Sequence, residues 1–220
     1  MRLLCSLTLL FLPRWAGACG LALVLAVDVS GSVDPAEYEV QMRGLSAALK
    51  DGIVTDALVD QQAQLTLIQW SGSSRQVQSL PWMQMRAAQD VARFADAVAS
   101  SPRVWRNYST AIGEALSLSI SAFSAVSQCA RKVIDVSGDG VSNEGIAPRS
   151  LHPLLKAQNI TVNALAIETD KTDLTGYFFE NVIVGERAFV VTANGFEDYP
   201  EQIRRKLQRE TLKQLSFLDE

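Results

Sequence analysis

Three oxygen-bearing residues follow directly on an apolar segment near the start of the chain. Asp28, Ser30 and Ser32 stand at alternate positions just after the apolar residues 21–27. Apolar, β-branched runs of this kind suit a strand that is buried on both faces, which puts the three side chains at its carboxyl end. One carboxylate followed by two hydroxyls supplies the hard oxygen ligands that Mg²⁺ and Ca²⁺ prefer. The spacing therefore predicts a divalent cation site.

The elements that must position these residues alternate along the chain. Strand-like segments are separated by segments with helical spacing, an order that indicates βαβ units and a mostly parallel sheet covered on both faces. The predicted fold class is therefore α/β, doubly wound. Predicted strands cover residues 21–27, 64–70, 132–137, 160–167 and 189–192, and predicted helices cover residues 35–50, 85–99, 110–127, 150–158 and 199–215. Residues 174–182 are either irregular or helical.

Two local signals refine this order. The turn-forming residues 71–74 lead into residues 75–80, which predicts a hairpin with one antiparallel edge strand. Asp34, Pro35 and Glu37 have the pattern of an N-cap, a proline at the first helical position and a capping-box glutamate. Asp34 is therefore predicted to cap a helix and not to bind metal.

A second carboxylate is predicted to lie beside the first. Asp139 follows the strand at residues 132–137, which we place next to the first strand. In doubly wound sheets, ligands bind outside the carboxyl ends of the strands where the strand order reverses. Asp28 and Asp139 should thus converge on one crevice. With Ser30 and Ser32 they form an oxygen-only set that suits Mg²⁺, Mn²⁺ or Ca²⁺ and does not suit zinc.

These residues resemble the metal-ion-dependent adhesion site (MIDAS) of von Willebrand factor A (VWA) domains. That family combines Asp-x-Ser-x-Ser, matched by residues 28–32, with a threonine from a later loop and an aspartate in a Thr-Asp-Gly-type turn. Residues 108–116 resemble the threonine loop and its following helix, which marks Thr110, and residues 137–140 supply Asp139. Gly138 stands where the family usually has threonine, which affects the hydrogen bonding of that loop but not the aspartate.

The resemblance covers residues 19–216 and implies a VWA-like domain with a known type of site. The ligands of Mg²⁺ (or Mn²⁺ or Ca²⁺) would be Asp28, Ser30, Ser32, Thr110 and Asp139. An Asp or Glu carboxylate of a protein partner would take the open coordination position. Trp105, Asn107 and Tyr108 precede Thr110 in a loop that should border the metal, so we expect them to contact the partner. Residues 27–34, 133–140 and 188–199 are also similar to a bacterial family of exported A-type proteins of unknown function.

Residues 1–18 have the pattern of a cleaved secretory signal peptide. Arg2 precedes an apolar run, which ends before the small-x-small residues 16–18. The run is too short for a membrane anchor, so we expect an exported protein, periplasmic or secreted, with no transmembrane segment in the mature chain. Residues 217–220 form a tail. The mature chain would carry 18 Lys and Arg against 24 Asp and Glu, a net charge of −6, which favours neither nucleic acid nor anionic lipid as a partner.

Cysteine usage agrees with export. The chain has three cysteines, and Cys5 would leave with the signal peptide. Cys19 and Cys129 each precede a predicted strand, so a disulfide can form at the amino-terminal edge of the sheet if those strands are neighbours. Two separate buried thiols are the alternative. A lipoprotein signal would also place a cysteine at Cys19, but such signals usually carry leucine where this chain has Ala16.

One acidic residue and two tryptophans are predicted to have structural roles in the core. Asp135 lies four residues before Asp139, about 13 Å along a strand, which is too far to share a metal ion. We predict that Asp135 is a partnered carboxylate in the core. Trp70 and Trp82 are predicted to pack in the core or at its rim.

Two enzymatic interpretations compete with adhesion. Residues 138–143 fit the loop of a Mg²⁺-dependent phosphotransferase of the haloacid dehalogenase type, but those enzymes need a second acid where this chain has Ser30. A dinucleotide-binding domain needs spaced glycines after the first strand, and residues 30–32 are Ser-Gly-Ser. His152 is the only histidine, so a triad or a zinc centre has no support. We therefore predict a non-enzymatic, metal-dependent protein-binding module, with a haloacid-dehalogenase-like phosphatase as the alternative.

Overall fold

The computed structural model describes residues 19–169 and 173–212, and these build a sheet with helices on both faces. Its strands are β1 (Leu21–Asp28), β2 (Gln64–Trp70), β3 (Gln76–Gln84), β4 (Arg131–Gly138), β5 (Ile160–Ile167) and β6 (Val190–Ala193). Their order across the sheet is β3-β2-β1-β4-β5-β6, and only the pair β2–β3 is antiparallel. The doubly wound α/β fold, the antiparallel edge strand and the adjacency of β1 and β4 are thus confirmed.

The helices follow the prediction with one omission. They are α1 (Pro35–Leu49), α2 (Gly52–Asp60), α3 (Ala88–Ala99), α4 (Ile112–Ala122), α5 (His152–Ala157), α6 (Leu174–Asn181) and α7 (Tyr199–Thr211). The sequence analysis did not predict α2, and it began α4 two residues too early. Among the described helices, none is both long and apolar enough to cross a membrane. The predicted signal peptide (1–18) and tail (217–220) lie outside the described residues.

The start of α1 is built as its sequence indicates. Asp34 Oδ1 accepts hydrogen bonds from the amides of Ala36 (2.7 Å) and Glu37 (2.8 Å), and Glu37 Oε2 accepts one from the Asp34 amide (2.7 Å). This reciprocal capping box satisfies amides that would otherwise have no partner at the helix start. Asp34 is therefore a helix cap, as predicted.

The core lies on both faces of β1, which is buried along its whole length. Leu21, Leu23 and Leu25 face the side covered by α1, α3 and α7, whereas Ala22 and Val24 face the side covered by α4 and α6. Successive side chains of a strand point to opposite faces, so a continuous apolar run serves both layers. Burial of β1 on both faces fixes the position of Asp28 at its end.

The two predicted tryptophan positions are packing positions. Trp70, at the end of β2, is fully buried. Trp82 is half-buried beside Phe123, with 5.8 Å between ring centroids, and its indole N–H donates to the Ala122 carbonyl at 2.9 Å. Both side chains therefore stabilise the layers around the sheet.

The amino-terminal edge of the sheet carries a disulfide. Cys19 precedes β1, Cys129 precedes β4, and the two are bonded with their Cα atoms 4.6 Å apart. The Ala130 amide also donates to the Cys19 carbonyl at 2.9 Å. The covalent link thus joins the two central strands at the edge opposite Asp28.

Asp135 has the partner that its burial requires. Lys206 of α7 places Nζ 2.6 Å from Asp135 Oδ1 and 2.7 Å from Glu210 Oε1, and all three side chains are almost completely buried. Burial and the charge of Asp135 raise the pKa of Glu210 to about 8, against the opposing charge of Lys206. We refer to Asp135, Lys206 and Glu210 as the buried triad, and it fixes α7 against β4.

Candidate metal centre

The carboxyl ends of β1 and β4 bring all five predicted ligand residues together. Asp28 Oδ1 accepts a hydrogen bond from the Ser30 amide at 2.7 Å, and Ser30 Oγ lies 3.2 Å from Ser32 Oγ. Ser32 Oγ donates to Asp139 Oδ1 at 2.6 Å, and Thr110 Oγ1 donates to Ser30 Oγ at 3.4 Å. Three separate segments of the chain therefore contribute to one contiguous group of oxygens.

The turn after β1 needs a glycine to approach its neighbouring loop. The Gly31 amide donates to the Tyr108 carbonyl at 2.8 Å. A Cβ at position 31 would lie 3.2 Å from Asn107 Cα and from the Tyr108 carbonyl oxygen, both backbone atoms. The absence of a side chain at Gly31 thus allows the aspartate–serine turn to lie directly against the threonine loop.

The two carboxylates are held in an environment that disfavours their charge. Burial, followed by the negative charge of Asp139, raises the pKa of Asp28 to about 8. Burial also raises the pKa of Asp139, although its hydrogen bond from Ser32 acts in the opposite direction. Two desolvated carboxyl groups in one crevice repel each other when ionised, and a divalent cation between them removes that cost.

The donor set fits a hard divalent cation. Asp28 Oδ2 is buried and has no hydrogen-bond partner among the described residues, although a buried carboxylate oxygen normally has one. The other donors are one more carboxylate and three hydroxyls, a composition typical of oxygen-ligated Mg²⁺, Mn²⁺ or Ca²⁺. In residues 19–169 and 173–212, no three His, Cys, Asp or Glu side chains gather in the arrangement of a metal site.

The surroundings of Gly138 explain why this position holds glycine and not the threonine of the VWA pattern. A Cβ at this position would lie 2.9 Å from Asp28 Oδ2 and 3.3 Å from Trp70 Cη2. The Trp70 ring and the Asp28 carboxylate thus occupy the space that a threonine side chain would need. The hydrogen bonds of this loop therefore involve no side chain at position 138.

Two residues that the sequence analysis missed support the ligands. Gln41, buried on α1, donates from Nε2 to the Asp28 carbonyl at 3.0 Å. Asn143 Oδ1 accepts a hydrogen bond from the Thr110 backbone N–H (3.0 Å), and the Asn143 backbone N–H donates to the Thr110 carbonyl (2.9 Å). Gln41 carried a signal in the sequence, since it is a polar residue on the apolar side of α1 beside Met42 and Leu45. Asn143 ends the phosphotransferase-like pattern of residues 138–143, but that pattern does not indicate its contact with Thr110.

The loop with the three predicted partner-binding residues borders this group. Asn107 and Tyr108 contact Gly31 as described, and Tyr108 is 43% exposed with the Arg75 guanidinium 3.8 Å from its ring centroid. Trp105 is half-buried. On the other side, a cavity of about 270 Å³ runs from Ser32, Thr110 and Asp139 past Glu168 to Leu174. The oxygens thus lie between an aromatic loop and an open groove.

The fold is similar to three solved structures, which represent two proteins. Proximal thread matrix protein 1 (PTMP1) from the mussel byssus aligns with a TM-score of 0.64 and 19% identity over 86% of this chain and 47% of that chain. A PTMP1 structure with a zinc-occupied MIDAS motif aligns with a TM-score of 0.61 and 16% identity over 88% and 46%. A von Willebrand factor type A protein from Catenulispora acidiphila aligns with a TM-score of 0.57 and 16% identity over 87% of this chain and 43% of that chain. This chain spans less than half the length of each.

Sequence comparison gives the family. The sequence matches no curated protein. The family model described as "Protein of unknown function (DUF1194)" matches residues 18–215, which is most of the chain. The chain therefore belongs to the DUF1194 family of proteins of unknown function, and its fold is that of a VWA domain.

Proposed function

We propose that this protein is an exported, non-enzymatic binding module that recognises a protein partner through a divalent cation. Asp28, Ser30, Ser32, Thr110 and Asp139 would hold Mg²⁺, or alternatively Mn²⁺ or Ca²⁺. An Asp or Glu carboxylate of the partner would take the open coordination position. The observation that carries the proposal is the contiguous group of five oxygen-bearing side chains around a buried Asp28 oxygen with no partner among the described residues.

The electrostatics of the crevice support a cation that is shared with a partner. Only two of the five proposed ligands carry charge, and both carboxyl groups are desolvated. The two carboxylates would balance the charge of a bound divalent cation, and an external carboxylate would bind the cation by filling its open coordination position. Such a bond is charge-assisted and formed in a partly desolvated crevice, which strengthens it.

The surroundings support recognition of a protein surface. Tyr108 and Asn107 are exposed beside the turn that carries Ser30 and Ser32, and Trp105 is half-buried in the same loop. Aromatic residues are enriched at the centres of protein interfaces. We propose that these three residues contact the partner around the bridging metal.

Export is part of the proposal. The pattern of residues 1–18 favours a cleaved signal peptide, and the Cys19–Cys129 disulfide suits an oxidising compartment. The similarity to a protein of the mussel byssus is in keeping with a location outside the cytoplasm. The proposed location is periplasmic or secreted.

Calorimetric titration of the mature chain with Mg²⁺, Mn²⁺, Ca²⁺ and Zn²⁺ tests the metal site. Zinc is included because the MIDAS motif of the similar PTMP1 structure holds it. We expect saturable binding and a rise in melting temperature with metal, both lost in Asp139→Asn. Asp56→Asn, an exposed acid on α2, is the matched control and should bind as the wild type does. Absence of heat and of any melting shift with all four ions would refute the proposal.

Partner binding and catalysis need separate tests. Envelope proteins that the immobilised wild type retains should be released by EDTA and absent with Asp139→Asn, but still retained by Asp56→Asn. In the phosphatase alternative, Asp28 would be the nucleophile and the general acid would be missing at Ser30. Turnover of p-nitrophenyl phosphate by the wild type, lost in Asp28→Asn, would overturn the non-enzymatic assignment.

A further inference from the structure

A single arginine holds the backbone between the first proposed ligands. Arg103 Nη2 donates to the Val29 carbonyl at 3.0 Å and to the Ser30 carbonyl at 2.7 Å. These carbonyls belong to the turn between Asp28 and Ser32. The arginine therefore contacts no proposed ligand oxygen, but it fixes the backbone from which Ser30 and Ser32 project.

The loop that carries Arg103 is itself fixed to the sheet and to α1. Gln69 of β2 donates to Ser101 Oγ (3.1 Å) and to the Pro102 carbonyl (3.0 Å) and accepts the Val104 amide hydrogen bond (3.1 Å). The Tyr38 hydroxyl donates to the Ser101 carbonyl at 2.8 Å. Arg103 thus extends from a segment anchored on both sides, and it can hold the turn against a rigid support.

We propose that Arg103 is a positioning residue for the metal site, which keeps the turn from Asp28 to Ser32 in the geometry that binds a divalent cation. The inference rests on the proposed function of that site. In this role Arg103 binds the backbone carbonyls of Val29 and Ser30 and is not itself a ligand of the metal.

Arg103 can affect metal binding through its charge or through its two hydrogen bonds. A positive side chain beside a cation site repels the metal ion but also favours the ionised forms of Asp28 and Asp139, so loss of the charge alone has two opposing effects on binding. Loss of the two hydrogen bonds would release the turn and weaken binding, because outer residues that orient ligands typically contribute about 10- to 100-fold to metal affinity. A variant that keeps the charge but loses the guanidinium, Arg103→Lys, therefore distinguishes the two roles.

The test compares Arg103→Gln with Arg106→Gln by calorimetric titration with Mg²⁺ and with Mn²⁺. Arg106 is exposed in the same loop, so its variant loses the same charge without loss of those two hydrogen bonds. We expect an affinity at least about tenfold weaker for Arg103→Gln, and equal or slightly tighter for Arg106→Gln. An Arg103→Gln protein that binds Mg²⁺ as tightly as the wild type, or more tightly, would overturn the inference.

Two further readouts separate this role from others. A purely structural role would lower the melting temperature without metal and leave the Mg²⁺ affinity of the folded protein unchanged, which would also overturn the inference. Arg103→Lys keeps the charge but lacks the guanidinium fork, so we expect it to bind Mg²⁺ more weakly than the wild type does. This variant keeps the test possible if Arg103→Gln does not fold. Wild-type Mg²⁺ affinity in Arg103→Lys would contradict the inference. Failure of the wild type itself to bind metal would refute the proposed function, and the inference with it.

Discussion

Gly138 gives the Asp28 carboxylate and the Trp70 ring the space that they share at the ends of β1 and β2. Both side chains are fully buried, so neither can move aside into solvent. The chain thus combines a large aromatic residue at 70 with the smallest residue at 138, where related VWA sites usually have threonine. At this position the size of a side chain, and not its hydrogen bonds, decides which residue fits.

We expect Gly138→Ala to weaken Mg²⁺ binding at least about tenfold, because the new Cβ would lie 2.9 Å from Asp28 Oδ2 and force the carboxylate to rotate. Gly140→Ala is the matched control, since the nearest atom to its Cβ would be Thr110 Oγ1 at 3.7 Å, an ordinary contact. Calorimetric titration of both variants measures the difference. Equal affinities in the two variants would show that the Asp28 carboxylate tolerates the displacement.

Strand ends and spacing were sufficient to predict that Asp28, Ser30, Ser32 and Asp139 gather at one edge of the sheet, whereas Thr110 was indicated only by the resemblance to VWA domains. Asp28 and Asp139 follow apolar runs whose adjacency is a property of the fold class. The residues that support them were not predictable in the same way. Arg103 acts on backbone carbonyls from an irregular loop, where no periodic pattern relates a residue to its contacts.

Among the helices, α7 depends most on a buried charge. Lys206 neutralises Asp135 of β4 and donates a hydrogen bond to Glu210 of its own helix, and it lies on the apolar side of α7 beside Ile203 and Leu207. Loss of one member of such a group leaves uncompensated charge in the core, which costs more than the intact group contributes. The position of α7 on the sheet therefore depends on the pairing of Lys206 with Asp135.

We expect Lys206→Met to lower the free energy of unfolding by about 3–5 kcal/mol at pH 7, because buried Asp135 would lose its cation and Glu210 would lose a hydrogen bond. Arg205→Met removes a charge from the exposed side of the same helix, where the arginine side chain is 62% exposed, and should change stability little. Urea unfolding of both variants is the measurement. Similar losses in the two variants would contradict a structural role for the buried triad.

Helix α2 shows why one element escaped prediction. Asp51 caps it by accepting hydrogen bonds from the amides of Ile53 and Val54, but the helix has only nine residues and several of them are β-branched, which favours strands. Only Val54 and Leu58 are buried, one helical turn apart. Tertiary packing of these two side chains overrides the local preference, and a pair of residues is too short a pattern to reveal it.

At the scale of the whole molecule, β1 and β4 join two regions of different chemistry. The Cys19–Cys129 disulfide lies before both strands, and the proposed metal site lies after them. The buried triad lies between these ends, on the face covered by α7. Both the triad and the metal site contain carboxyl groups whose pKa is raised to about 8, Glu210 and Asp28, so the stability of the metal-free protein must depend on pH.

The sign of that dependence follows from proton binding. The folded protein keeps a proton on Glu210 up to about pH 8, whereas the unfolded chain releases it near the ordinary value of 4.5. The stability contributed by this proton is complete below pH 4.5 and is lost as the pH rises through 8. Between these values the free energy of unfolding should fall by up to about 1.4 kcal/mol per pH unit for this group.

We expect Glu210→Gln to remove the part of this slope that belongs to the buried triad. Glutamine is neutral at all pH values and resembles the protonated acid, since it can accept from Lys206 and donate to Asp135. Melting temperatures with EDTA at pH 5 to 9 should be similar for the two proteins at pH 5 and higher for the variant at pH 9. Because Asp28 titrates identically in both proteins, its contribution cancels in the difference. Parallel profiles across this range would mean that Glu210 is ionised in the folded protein at neutral pH.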